Sequence, residues 1–227
     1  MLTFTHPNGT FSVDIEHVAI AGWAGRDQAG VQHHIDELKA LGVKPPSTTP
    51  LFYRVSREML TQQEHVQMLG DAGSGEVETC LVSDEHGRIW VTIASDHTDR
   101  ALEAVGVAES KQLCAKPVAR TAWPLDEVLA HWDQLQLHSE IEENDATVTY
   151  QQGTLAELLP VSALIERLPQ ALRNGQGLAP QSVLLCGTVP AIGGIRPSGR
   201  FQMSLIDPVL QRRIDHRYVI ETLEVVA

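Results

Sequence analysis

The sequence predicts an α+β fold rich in strands. Runs of β-branched and aromatic residues, bounded by Gly, Pro, Asn and Asp, recur along the chain and outnumber the stretches of helical periodicity. Tight turn signals separate several of them, as in "SDEHGR". Neither an internal repeat nor a shift in composition marks a linker. The 227 residues, enough for one substantial core, are therefore expected to form a single domain over residues 1–227.

The elements follow in order. "FSVDIEHVAIAGWAG" alternates as one or two strands ending at Gly22 to Gly25. In "DQAGVQHHIDELKALG" the apolar residues Val31, Ile35, Leu38 and Leu41 keep a helical spacing that Gly42 closes. "VKPPSTTP" breaks regular structure and "LFYRVS" reads as a short strand. Residues 64 to 96 read as strands with tight turns, including a Gly70–Gly75 loop and a hairpin turn carrying Gly87. "PLDEVLAHWDQL" fits a short amphipathic helix starting near Asp126, and "TVTYQQGTLAELLPVSALIERLPQAL" passes from a strand into a longer helix. "SVLLCGTV" is a buried type of strand entering the Gly/Pro loop "GTVPAIGGIRPSG", and the last 27 residues alternate as two strands around Asp207-Pro208.

Charge excludes several functions. With 29 acids against 17 Lys and Arg, the net charge is −12, which repels phosphate backbones and argues against a nucleic-acid partner. No apolar run approaches the ~20 residues that span a bilayer, so no membrane partner is expected. "MLTFTHPNGTF" has no basic start followed by an apolar stretch, so no secretory signal is read. Cys80, Cys114 and Cys186 are odd in number and far apart, which fits a reducing cytoplasm better than a disulfide framework. The Gly-rich loop lacks the Gly-Lys-Ser/Thr of a phosphate cradle, and no Gly-x-Ser-x-Gly nucleophile motif occurs.

The most informative stretch is "SGEVETCLVSDEHGRIWVTIASDHTDR". In a strand, Glu76 and Glu78 point to one face, roughly 6–7 Å apart. If Glu85-His86-Gly87 closes a three-residue hairpin, Asp84 pairs with Arg88, Glu78 with Ala94 and Glu76 with Asp96. Three carboxylates then converge in a hard oxygen site suited to Mg²⁺ or Mn²⁺, with Ca²⁺ also accommodated. A four-residue loop shifts the register by one and spoils the pairing. A solvated acidic hairpin face is the alternative left open here.

Five segments in order resemble the fumarylacetoacetate hydrolase superfamily. "GEVETCLV" resembles its E-x-E-L-a-v-v strand and "SDHTDR" its N-D-x-T-A-R-D segment. That resemblance implies Glu76, Glu78 and Asp96 as metal ligands and keeps Arg100. Asp99 and Ala101 depart from the pattern, standing where the family has Ala and Asp. "AGRDQAGVQHHIDEL" resembles G-R-N-Y-x-x-H-x-x-E, a short helical lid covering about residues 26–45. It implies His34 as a catalytic base oriented by Glu37, with His33 adjacent; the plain reading is a surface helix. "LFYRVS" is similar to F-x-K-P-S, with Arg54 in the lysine position, and "SKQLC" to K-s-f-D, which implies a substrate-facing Lys111. Without the resemblance Lys111 is an ordinary exposed lysine, and the Asp and Gly-Pro that follow in the family are absent. "LLPVSALIERL…GLAPQSVLLCGTVPAIGGI" matches a helix, linker and x-G-D-v-I-x-T-G-T-P-a-G-v-G, implying that Gly187 and Thr188 bind the substrate carboxylate.

The resemblance spans roughly residues 20 to 220 and lies closest to a distant prokaryotic branch for which no substrate can be inferred. It implies a β-roll-like fold of the superfamily's C-terminal domain with a few flanking helices, in a cytoplasmic homodimer. The implied function is a divalent-metal-dependent enzyme, of hydrolase or lyase type, acting on a small anionic 2-oxo acid or 1,3-dicarbonyl acid. Enolate character next to the keto group opens C–C hydrolysis, decarboxylation, hydration or dehydration, and isomerisation. The competing readings are a non-catalytic small-acid binding or sensor module, and a structural protein whose acids never hold metal.

Overall fold

The computed structural model describes residues 1–40, 45–175 and 177–226, without the side chains of His34, Glu37, Leu38 and Ala40. Its main strands are β1 (Leu2–His6), β2 (Gly9–Val13), β3 (His17–Gly22), β4 (Leu51–Val55), β5 (His65–Leu69), β6 (Val77–Ser83) and β7 (Ile89–Ser95). They continue as β8 (Trp123–Pro124), β9 (Gln136–Glu143), β10 (Ala146–Thr154), β11 (Ser182–Leu185), β12 (Arg200–Asp207) and β13 (Arg212–Leu223). One sheet runs β8-β7-β6-β11-β3-β4 and the other β10-β9-β12-β13-β5. Each is mixed: β11 lies parallel to β3 and β13 parallel to β5, while the other neighbours are antiparallel.

Alternation along the strands fixes what packs where. Ala19, Ala21, Val77, Leu81, Val91, Ile93 and Leu184 share a core with Ile141, Phe201, Met203, Leu205 and Ile214 of the second sheet. The intervening residues Val18, Ile20, Cys80, Val82, Trp90, Val183 and Leu185 pack instead with Leu2, Phe4 and Val13 of the β1–β2 hairpin. The first sheet is thus covered on both faces, which is why β6 and β7 read as nearly unbroken apolar runs. The β1–β2 pairing (Leu2 opposite Val13, His6 opposite Gly9) was not assigned from sequence.

The β6–β7 turn has the length that the site requires. Gly87 adopts φ +80, the left-handed region that glycine enters without a Cβ penalty. The Asp84 N–H donates to the Arg88 carbonyl at 3.0 Å. The Asp84 carboxylate accepts from the N–H groups of His86 and Arg88 (2.9 Å each) and from Trp90 Nε1 (3.0 Å). Glu78 then stands opposite Ala94, and the Asp96 N–H reaches the Glu76 carbonyl at 3.0 Å. The three-residue hairpin count is the observed register.

The helices are short and peripheral. They are α1 (Gln28–Ala40), α2 (Arg100–Glu103), α3 (Val107–Leu113), α4 (Leu125–Val128) and α5 (Val161–Arg167). The expected stop of α1 at Gly42 lies outside the described residues. Its root is pinned where Arg26 donates to the Leu158 carbonyl (2.8 Å) and pairs with Asp133 (2.7 Å). The long helix expected before residue 172 is divided: Thr154 and Glu157 form a capping box on a 3₁₀ turn, and Pro160 restarts the chain as α5. The helix expected to start at Asp126 or the residues before it begins at Leu125, after Pro124. No helix among the described residues is long and apolar enough to cross a membrane.

One buried side chain ties the two sheets to the Gly/Pro loop. Gln151 Oε1 accepts from the Val77 N–H and the Ser139 hydroxyl (both 3.0 Å), and Nε2 donates to Thr188 Oγ1 and the Val189 carbonyl (both 2.7 Å). A Gln151→Leu change orphans the buried Val77 N–H and several partners at once, each costing about 1–3 kcal/mol. We expect a loss of about 3 kcal/mol or more, read from urea unfolding midpoints at unchanged m.

Candidate metal centre

Glu76 and Asp96 flank the paired ends of β6 and β7, while Glu78 lies one pleat further in. All three extend the face that bears Cys80, Val82 and Ala94. One carboxylate oxygen from each lies within 4.8 Å of the others. Glu78 is 2% exposed and Asp96 0%, so this is no solvated hairpin face. Three like charges at such depth need compensation.

Three cations and one amide supply it. The Lys111 amine donates to Asp96 Oδ2. The fully buried Lys116 amine donates to the His97 carbonyl and stands 3.4 Å from Asp96 Oδ1. Arg100 pairs with Glu76 (3.0 Å) and Glu103 (2.8 Å), and its Nε donates to Ser74 Oγ at 2.7 Å. Among the described residues Glu78 has no cation of its own; its Oε2 accepts the Gly187 N–H at 2.7 Å.

The acidities follow from these partners. Burial, then the neighbouring Asp96 and Glu76, pushes Glu78 well above the ordinary carboxylate range, and Lys111 and Gly187 only partly oppose that. Burial also raises Glu76, against Arg100 and Lys111. Burial pushes Asp96 the same way, but Lys111 and Lys116 prevail and hold it low. A cation about 4 Å away contributes about 4 kcal/mol at an effective dielectric near 20, so two of them decide the sign. His97 points away, with Nδ1 3.0 Å from the Tyr218 hydroxyl, and burial draws it down to about 3. It is a neutral packing partner, as its opposite strand face predicts.

The structure brings together Glu76, Glu78, Asp96, Arg100, Lys111 and Gly187. Thr188 is adjacent, but its hydroxyl donates to the Val77 carbonyl (2.7 Å) and accepts from Gln151. Arg54 does not join them. The strand alternates Tyr53 toward Lys111, and the Arg54 guanidinium instead donates to the Val18 carbonyl (3.2 Å) and meets His17 Nδ1 at 3.4 Å. His34 and Glu37 belong to α1, but their side chains lie outside the described residues. Asp99, which departs from the family pattern, caps α2 by accepting the Leu102 N–H at 2.8 Å. Sequence reasoning missed Lys116, Gln151 and Tyr53, whose ring centroid is 5.6 Å from the Lys111 amine. The available signal for Lys116 was a lysine set among small apolar residues in "CAKPVA".

The donor set fits a hard divalent cation. Among the described residues it offers carboxylate oxygens, without thiolate or imidazole. Asp96 Oδ1 is buried and accepts no aligned hydrogen bond, a lone pair available to a further partner. Gly187 fits the same purpose: at φ +95 its N–H is aimed at Glu78, and a Cβ there would meet Ala24 at 2.9 Å.

Comparison with known proteins gives the same frame. A family model described as "Protein of unknown function (DUF2848)" matches residues 21–218. No curated protein matches the chain. Among solved structures, Cg1458 aligns at TM-score 0.65 and 14% identity over 94% of this chain and 78% of its own. A 2-keto-3-deoxy-D-arabinonate dehydratase complexed with magnesium and 2,5-dioxopentanoate aligns at 0.64 and 14%, over 97% and 79%. A 4-oxalocrotonate decarboxylase from Pseudomonas putida G7, complexed with calcium and acetate, aligns at 0.51 and 14%, over 93% and 78%. At these identities the likeness establishes the fold, which is the fumarylacetoacetate hydrolase fold that the sequence resemblance implied.

A pH signature follows from Glu78. Its folded pKa is raised, so between the unfolded value of about 4.3 and that raised value the folded state holds more protons, and stability falls as pH rises. In chelator-treated protein, Glu78→Gln should melt above the wild type by a margin that widens from pH 5 to pH 8. Parallel melting curves across that range would contradict the assignment.

Proposed function

The chain belongs to the DUF2848 family, and from that premise we propose that it is a divalent-metal-dependent enzyme acting on a small 2-oxo acid or 1,3-dicarbonyl acid. The observation that carries this reading is the convergence of Glu76, Glu78 and Asp96 at hydrogen-bonded depth beside Lys111. Glu76, Glu78 and Asp96 would hold Mg²⁺ or Mn²⁺, with Ca²⁺ as the alternative. Such a cation supplies Lewis acidity toward adjacent carboxylate and keto oxygens.

The chain's own groups supply the rest. Lys111 and Arg100 place positive charge where an anionic substrate and the enolate oxygen need it. The Gly187 N–H orients Glu78, while Thr188, held by Gln151, presents the Gly/Pro loop to the substrate carboxylate. On the lid helix, His34 takes or returns the proton and Glu37, three residues on, orients its ring. Arg54 serves as a substrate contact only if the lid side rearranges, since its present partners are Val18 and His17. Hydrolysis, decarboxylation, hydration or dehydration, and isomerisation share this machinery, so hydrolase and lyase activities both belong to the proposal. The magnesium and dioxopentanoate of one fold relative, and the calcium and acetate of another, support the choice of cation and ligand class.

The metal reading predicts a melting shift. Mn²⁺ at a hundredfold its Kd stabilises a one-site protein by about 2.7 kcal/mol, and Asp96→Asn should abolish the response. A flat wild-type response would sink the proposal. The competing reading is a small-acid sensor on the same scaffold, for which Asp99 and Ala101 speak. A screen of 2-oxo acids and 1,3-dicarbonyls with Mn²⁺ gives a ligand, and His34→Ala then separates the two. An enzyme loses about 10²-fold or more in kcat with metal and ligand affinity kept; a sensor changes in neither.

A further inference from the structure

Lys111 and Lys116 both meet Asp96, and they meet it from unlike settings. Lys116 is 0% exposed and sits where Lys116–Pro117 pairs in parallel with Leu60–Thr61. The Val118 N–H closes that contact on the Thr61 carbonyl at 2.7 Å. Its amine is fixed between the His97 carbonyl and Asp96 Oδ1. Lys111 lies in the last turn of a seven-residue helix, keeps 7% side-chain exposure, and covers the other oxygen, Asp96 Oδ2. From that position it also stands over the face of Tyr53 at 5.6 Å, which attracts an ammonium through the ring quadrupole.

Resting on the metal reading above, we propose that Lys111 is the exchangeable counter-ion of the carboxylate cluster and Lys116 the permanent one. A divalent cation enters as the Lys111 amine leaves Asp96 Oδ2, while Lys116 stays on Oδ1 and the His97 carbonyl. Charge counting among these groups supports it. Glu76, Glu78, Asp96 and Glu103 set four carboxylates against Arg100, Lys111 and Lys116. With all of them ionised, a dication turns one excess negative charge into one excess positive charge, and withdrawal of one ammonium removes that excess. The released amine leaves Asp96 Oδ2, keeps the Tyr53 face and is free to meet an anionic substrate. Metal loading and presentation of Lys111 are then a single event.

Lysine acylation resolved by mass spectrometry tests this on the full chain, with Mn²⁺ binding followed separately by the paramagnetic resonance of the free ion. Lys111 should be protected without metal and react about tenfold faster or more at saturating Mn²⁺, with Lys116 protected throughout. Mn²⁺ binding with unchanged Lys111 reactivity overturns the exchange and leaves the metal reading intact. So does Lys116 becoming reactive together with Lys111. No Mn²⁺ binding overturns both. Lys111→Met should bind Mn²⁺ about tenfold more tightly than wild type, because no amine has to be displaced; equal or weaker affinity counts against the exchange. The labelling experiment uses wild-type protein and decides the matter even if the variant does not fold.

Discussion

Three carboxylates within 4.8 Å of one another, Glu78 and Asp96 buried and Glu76 half-buried, are the constraint around which this molecule is arranged. Burial without compensation would protonate them or unfold the segment. The fold answers with charges from separate stretches of chain: Arg100 at the start of α2, Lys111 in the last turn of α3, and Lys116 in a strand segment beyond it. Each lies within about twenty residues of Asp96 in sequence. The segment after β7 is therefore best understood as a strap that returns cations to the acids the hairpin has just buried.

The second dependency is geometric. Glu78 pairs with no cation among the described residues and relies on the Gly187 N–H, which belongs to the loop leaving β11. That strand is inserted between β6 and β3, so a chain segment more than a hundred residues downstream reaches the first acid pair directly. Gln151 reinforces the junction from the other sheet by holding both Val77 and Thr188. Packing between sheets and chemistry at the rim consequently share the same residues.

Much of this was legible in the sequence, and for stated reasons. Strand alternation places Glu76 and Glu78 together, and Gly87 in a three-residue turn sets the register that brings Asp96 to them. Both are local rules, which is why they transfer. Arg54 illustrates the limit: a family-like position names the residue, while alternation with Tyr53 decides which of the two faces Lys111. Gln151 escaped because its role arises from long-range contacts that no local pattern encodes, whereas Lys116 left a local signal, a lysine among small apolar residues, that was not taken up. The overlong helix before residue 172 failed for a local reason, the weight of Pro160 against an otherwise periodic stretch.

The sheet that carries the acids is sealed on both sides, by the second sheet and by the β1–β2 hairpin. An evolving protein of this shape has no free surface on that sheet on which to try new side chains. Room for change is left at its rim: the segment around α1, the helix holding Lys111, and the Gly/Pro loop after β11. Insertions and exchanges at those three borders would alter the surroundings of the acids while leaving the packed interior intact.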